Sequence, residues 1–241
     1  MDDWDAALPF RINQDNSHWQ RLLQLYRRAT QRLAGKMLLG QIDTHSNMDL
    51  LMAARGSERL CEDLLDRPEA IDRAMASARA IFPQLWEMMR TEGRMDELGY
   101  GSDFYSMEGA ACLQCDFSCM ISGEMFRRWV IPALEEEAAL VRHAHYHWDG
   151  PTALRHMPDL CATGGLHALA YVPGDGHGGH AQFLDLYEEV QNRGKGVVVW
   201  GSPDEIKLMH RRLKPNKTMY HCWCGSVEQA REIEQWLVKN T

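Results

Sequence analysis

The chain has 241 residues, 45% of them hydrophobic and 25% charged, with a formal net charge of −8. That is the composition of one large globular domain with a sizeable core, not of a disordered or membrane-embedded chain. The acidic balance is the wrong sign for a nucleic acid or an anionic membrane, so neither is an expected partner.

Hydrophobic periodicity predicts a helix over 18–33, apolar at Leu22, Leu23, Leu25, Tyr26 and Leu33 and closed by Gly35. A buried strand over 36–42 follows, then helices over 49–65 and 68–92, the second capped by Asp66 with Pro68 in its first turn. A strand over 111–116 leads to Ser122, the expected cap of a helix over 124–143 that Pro132 should kink. A strand over 143–148 is stopped by Asp149-Gly150-Pro151, and a short helix leads to a strand over 166–172 ended by Pro173-Gly174. A helix over 181–192, a strand over 197–200, a helix over 203–213 and a strand over 219–224 come next. Ser226, with Glu228 and Gln229, opens a closing helix that runs to Val238. Strands separated by helices of this length predict βαβ units, a mostly parallel sheet and a single domain. Six such units can be counted, against the eight of a closed (β/α) barrel.

The seven cysteines are odd in number and scattered, apart from Cys112, Cys115 and Cys119 and the pair Cys222 and Cys224. A secreted disulfide scaffold would show an even count in a short chain. The thiols are therefore expected to be reduced, in a cytoplasmic protein, with some free to bind metal. The opening residues MDDWDAALPF combine no basic stretch with an apolar run, so no signal peptide is expected.

The sharpest chemical feature is the run 143–151, His-Ala-His-Tyr-His-Trp-Asp-Gly-Pro. On a strand, His145, His147 and Asp149 share a face, and the last two fall at its C-terminal end, where α/β sites collect. Imidazole and carboxylate serve both divalent metals and proton transfer. A second cluster, His221-Cys222-Trp223-Cys224-Gly225, also ends a strand, with Cys222 and Cys224 on one face and His221 on the other. Two such clusters on one sheet suggest ligands converging from separate segments. Asp43 and His45 end the first strand, and Gln114 and Asp116 the second. The Gly-rich loop 173–180, carrying His177 and His180, reads as a lid or substrate loop without the lysine of a phosphate loop. The pairs Arg27-Arg28, Arg127-Arg128 and Arg211-Arg212 read as solvated helix faces.

The run LQCDFSCMISGEMFRRWVIPAL over 113–134 resembles the "SPEMFEEFVLPYL"-type segment of the uroporphyrinogen decarboxylase superfamily. The segments 55–60 (RGSERL) and 65–70 (LDRPEA) are similar to helices that the superfamily places before it, and 145–156 (HYHWDGPTALRH) to a segment of its methyltransferase-like members. The resemblance extends over nearly the whole chain from Asn13 onward. It implies a TIM (β/α)8-type barrel with the site at the C-terminal mouth, here lacking the first one or two strand–helix units. An exposed sheet edge would follow, and with it a homo-oligomer or a partner subunit.

The superfamily includes decarboxylases that need no cofactor and zinc-dependent enzymes that move a methyl group between a corrinoid protein and a thiol. The resemblance implies that His147, Asp149 and Cys222 or Cys224 ligate zinc, with Asp149 standing where the methyltransferases have a cysteine. It leaves Asp43, His45 and Asp116 as catalytic or substrate groups and Gln114, His177 and His180 for the cofactor. The arginine-rich first strand of the decarboxylases has no counterpart. The expected function is that of a metal-dependent methyltransferase with a corrinoid donor and a thiol acceptor. The alternatives are a metal-independent tetrapyrrole decarboxylase or tetrapyrrole-binding protein, and a silent subunit paired with a complete homologue.

Overall fold

The computed structural model describes residues 1–33, 35–44 and 46–241. Its N-terminal part is helical: α1 (Trp4–Ala7), α2 (Ser17–Leu33), α3 (Asn47–Arg55), α4 (Ser57–Asp66), α5 (Pro68–Glu92) and α6 (Met95–Leu98). α5 organises this layer, because Ile71, Ala74, Met75, Ala78, Phe82, Trp86 and Met89 recur at helical spacing and bury one stripe. α2, α3 and α4 pack on it. The single helix expected over 49–65 is two, since Gly56 takes a φ of +86° that ends α3 before α4 begins. Nor does Asp66 cap α5. It is the last residue of α4, and Arg67 takes the cap position without a side-chain bond. A buried ion pair joins the layer: Arg55 Nε donates to Asp63 Oδ2 at 2.6 Å, and Trp4 Nε1 to the same oxygen at 2.7 Å.

A short antiparallel hairpin, β1 (Tyr100–Gly101) and β2 (Tyr105–Ser106), leads into a five-stranded parallel sheet. Its strands, β3 (Ala110–Gln114), β4 (His143–Asp149), β5 (Leu166–Val172), β6 (Gly196–Gly201) and β7 (Thr218–Cys222), lie side by side in chain order. Parallel strands need long crossovers. α7 (Gly123–Met125) and α8 (Ile131–Ala138) join β3 to β4, and α9 (Met157–Ala162) joins β4 to β5. α10 (Leu184–Asn192) and α11 (Pro203–His210) make the next two crossovers, and α12 (Val227–Asn240) follows β7. Parallel crossovers are right-handed almost without exception, so the unbroken strand order puts these helices on one face. The kink expected at Pro132 takes the form of a π turn over Phe126–Val130, just upstream of the residue that lacks an N–H.

The chain is thus α/β, but among the described residues the sheet stays open, with β3 and β7 at its edges, and no closed barrel forms. One expected strand is missing. The segment 36–42 contributes only an isolated bridge, Gly40 to Gly101, because Gln41 meets β3 through its side chain. Its Nε2 donates to Cys112 O at 2.9 Å, and its Oε1 accepts from Cys112 N at 2.9 Å. One carboxamide therefore satisfies an edge residue as a neighbouring strand would.

Alternation fixes what each face carries. On β4, Ala144, Tyr146 and Trp148 are buried under the helices, which leaves His143, His145, His147 and Asp149 on the other face. Register extends that face across the sheet. Cys112 and Gln114 pair with His145 and His147, and Ala168 and Ala170 flank the same two residues from β5. Further along, Trp200 stacks on His221 with ring centroids 5.2 Å apart.

Candidate metal centre

Asp116 stands just past β3, at the start of a 3-10 turn, Asp116–Met120. The turn is held from both sides. Asp49, fully buried on α3, accepts hydrogen bonds from Asp116 N and Phe117 N, each at 2.9 Å. His156 Nε2 donates to Ser118 O at 2.9 Å, and the ring stacks on Phe126 with centroids 4.1 Å apart. Burial holds the pKa of His156 below its ordinary value, which keeps the ring neutral. Asn47 closes the frame from the start of α3, donating from Nδ2 to Gln114 O at 2.9 Å. Glu137 lies behind it, its pKa pushed up to about 8 by burial.

His147 and Asp149 reach the same spot from β4. Ligand atoms of Asp116, His147 and Asp149 all lie within 4.8 Å of one another. Asp116 and His147 are half-buried, and Asp149 is the most exposed of the three. An imidazole and two carboxylates at this separation can close on one divalent cation and leave coordination positions free. Cys119, half-buried, belongs to the same neighbourhood: burial first, then the Asp149 and Asp116 carboxylates, push its thiol pKa up.

A second group stands one step back along the same strands. Ligand atoms of Asp103, Cys112 and His145 also lie within 4.8 Å of one another. His145 is fully buried, with Nε2 2.6 Å from Asp103 Oδ2 and Phe104 tilted over the ring at 5.3 Å. Burial opposes charge on this ring, but the bond to Asp103 and the nearby Cys112 outweigh it and push its pKa up to about 9. Asp103 is held low by the His145 bond, with further contributions from His221 and His147. It therefore overlooks the open face from β4 toward β7. A cavity of about 630 Å³ adjoins this group, lined by Asp43, Asp103, Cys112 and Gln114 among others.

The expected site residues separate accordingly. His147, Asp149 and Asp116 come together, while Asp43 and Gln114 share the cavity wall. His45 lies outside the described residues. Cys222 and Cys224 do not join His147 and Asp149 in that group. Tyr220 turns toward α11, where His210 lies 3.1 Å from its hydroxyl, so Cys222, two residues on, shares the helix-packed face. β7 is also three strands from β4. The Cys224 thiol lies 3.6 Å from Cys222 Sγ, and burial with this neighbour pushes Cys222 up to about 11. His180 is buried at 2.6 Å from the Tyr187 hydroxyl, and burial lowers its pKa to about 4, whereas His177 is exposed on the loop. Asp103, Cys112 and Asp49 were not among the expected site residues. Strand period could have placed Cys112 with Gln114, but no local signal marks the other two.

No protein-family profile, curated protein or solved structure matches the chain.

Proposed function

We propose that the chain is a metal-dependent methyltransferase of the uroporphyrinogen decarboxylase-like kind, passing a methyl group from a corrinoid donor to a thiol. The observation that carries this reading is the convergence of Asp116, His147 and Asp149 at the C-terminal ends of β3 and β4. The donor set fits a divalent cation of the zinc, iron or manganese class. Bound there, such an ion would act as a Lewis acid and lower the pKa of a thiol or water.

The protein's own groups have separate tasks. His147, Asp116 and Asp149 would hold the ion, with Asp149, the most open of the three, on the side of the incoming acceptor. Asp49 and His156 keep Asp116 in place through the backbone of its turn. A corrinoid bound beside the site would supply the methyl group and keep the electron pair of its carbon–cobalt bond, while the acceptor thiol would give up its proton to solvent as the carbon–sulfur bond forms. Two carboxylates neutralise a divalent charge, so the acceptor thiol would be acidified less than at a thiolate-poor cationic site.

The cavity argues against the decarboxylase alternative. Its described lining carries Asp43 and Asp103 and no lysine or arginine, the opposite of what a substrate rich in carboxylates requires. The test is elemental analysis of the wild type, Asp116→Ala and His147→Ala, with methyl transfer from methylcobalamin to a small thiol followed by the corrinoid spectrum. About one metal ion per chain, lost with the transfer activity in both variants, is the expected result. Undiminished metal content in both variants would sink the proposal.

A further inference from the structure

Asp103, Cys112 and His145 have no part in that transfer site, and their geometry asks for a ligand. Cys112 and His145 are register partners on β3 and β4, so the pleat fixes their side chains next to each other. Asp103 is brought over them by the loop between β1 and β2. One atom each of carboxylate, thiol and imidazole then lie within 4.8 Å of one another. His145 is 0% exposed, yet its Nδ1 has no hydrogen-bond partner. The other ring nitrogen, Nε2, is the atom that meets Asp103, at 2.6 Å.

We propose that this trio is a second metal site, selective for a thiophilic divalent cation of the zinc class. Sulfur, nitrogen and oxygen donors from three segments are what a four-coordinate ion of that class takes. The thiol discriminates against magnesium and calcium, which prefer all-oxygen shells. Asp103 and Cys112 both line the cavity of about 630 Å³, which gives the ion a way in and leaves room for a fourth ligand. Phe104, which lines the same cavity, tilts over the imidazole with ring centroids 5.3 Å apart. The Asp116 group differs in carrying no sulfur among its three donors, and this difference separates the two sites experimentally. The second site stands whether or not the transfer reading is right.

The metal-free protein titrated with Co²⁺ should develop thiolate-to-cobalt charge-transfer absorption in the near ultraviolet. The band should be lost in Cys112→Ser and kept in His147→Ala and Asp116→Ala. A measurement on the wild type avoids reliance on a variant's folding: Zn²⁺, but not Mg²⁺, should slow iodoacetamide alkylation of the half-buried Cys112 at least about tenfold by peptide mass spectrometry, because coordination withdraws the thiolate as a nucleophile. A band that survives Cys112→Ser in a variant melting like the wild type would overturn the site. So would a band that also vanishes in His147→Ala, or alkylation of Cys112 indifferent to zinc.

Discussion

Replacing Asp49 by asparagine tests how the centre is held without touching a ligand. The carboxylate accepts from the amides of Asp116 and Phe117 at 2.9 Å each and is fully buried. Asparagine keeps one acceptor oxygen and turns an NH₂ toward the other amide, so one bond is lost and two donors face each other. Hydrogen bonds to a charged group contribute about 1.5–3 kcal/mol, and a stranded buried amide costs a similar amount, so a loss of about 2–4 kcal/mol is expected. At about 2–4 °C per kcal/mol for a chain of this size, Tm should fall by about 5–15 °C. Freed from its anchor, Asp116 samples more positions, and metal affinity should drop about 10- to 100-fold, the usual effect of removing a group that orients a ligand. Differential scanning calorimetry and competition against a chromophoric chelator give the two numbers. An Asp49→Asn protein that melts and binds metal like the wild type would refute the positioning argument.

Glu137→Gln should change the pH dependence of stability rather than the site. Burial raises the folded-state pKa from 4.5 to about 8, so the favourable contribution of the neutral acid is fully present below the unfolded value and is lost as pH rises through about 8. The wild type should therefore weaken from about pH 5 to pH 9 by several kcal/mol relative to the variant, and parallel urea-derived stability curves would contradict this. Gln41→Ala strips Cys112 of both its backbone partners, with an expected loss of about 1–3 kcal/mol. Hydrogen exchange at the Cys112 amide should accelerate and light scattering should rise as the β3 edge opens, and unchanged exchange there would count against the edge-covering role.

The order of elements was legible because strands and helices differ in hydrophobic period, and Leu166–Val172 has the expected bounds to the residue. The strand expected at 36–42 misled because Leu39 and Ile42 are apolar for packing against the core and Leu38 for lining the cavity, not for pairing in a ladder. Period alone cannot tell the two uses apart. Within the centre, His147 and Asp149 were readable because they share a strand face, and Asp116 because it ends a strand. The cysteine pair was misplaced for a reason internal to β sheets. Alternation tells which residues of one strand share a face, but only register says which face of the next strand that is, and β7 presents His221 where Cys222 had been expected. Asp49 and Asp103 were illegible because their partners lie 67 and 42 residues away in the chain.

Those separations bear on whether the molecule can be divided. The boundary between the helical layer and the sheet, near Tyr100, looks like a natural place to cut, since every parallel strand lies beyond it. A fragment starting there would keep all the strands and all three residues of the Asp116 group. It would lack the carboxylate that fixes the turn after β3 and the carboxamide that seals the first edge. The metal affinity proposed for the two groups would thus depend on the joined halves, and limited proteolysis in the intervening segment should release a sheet that aggregates and a helical piece with no residue of either group.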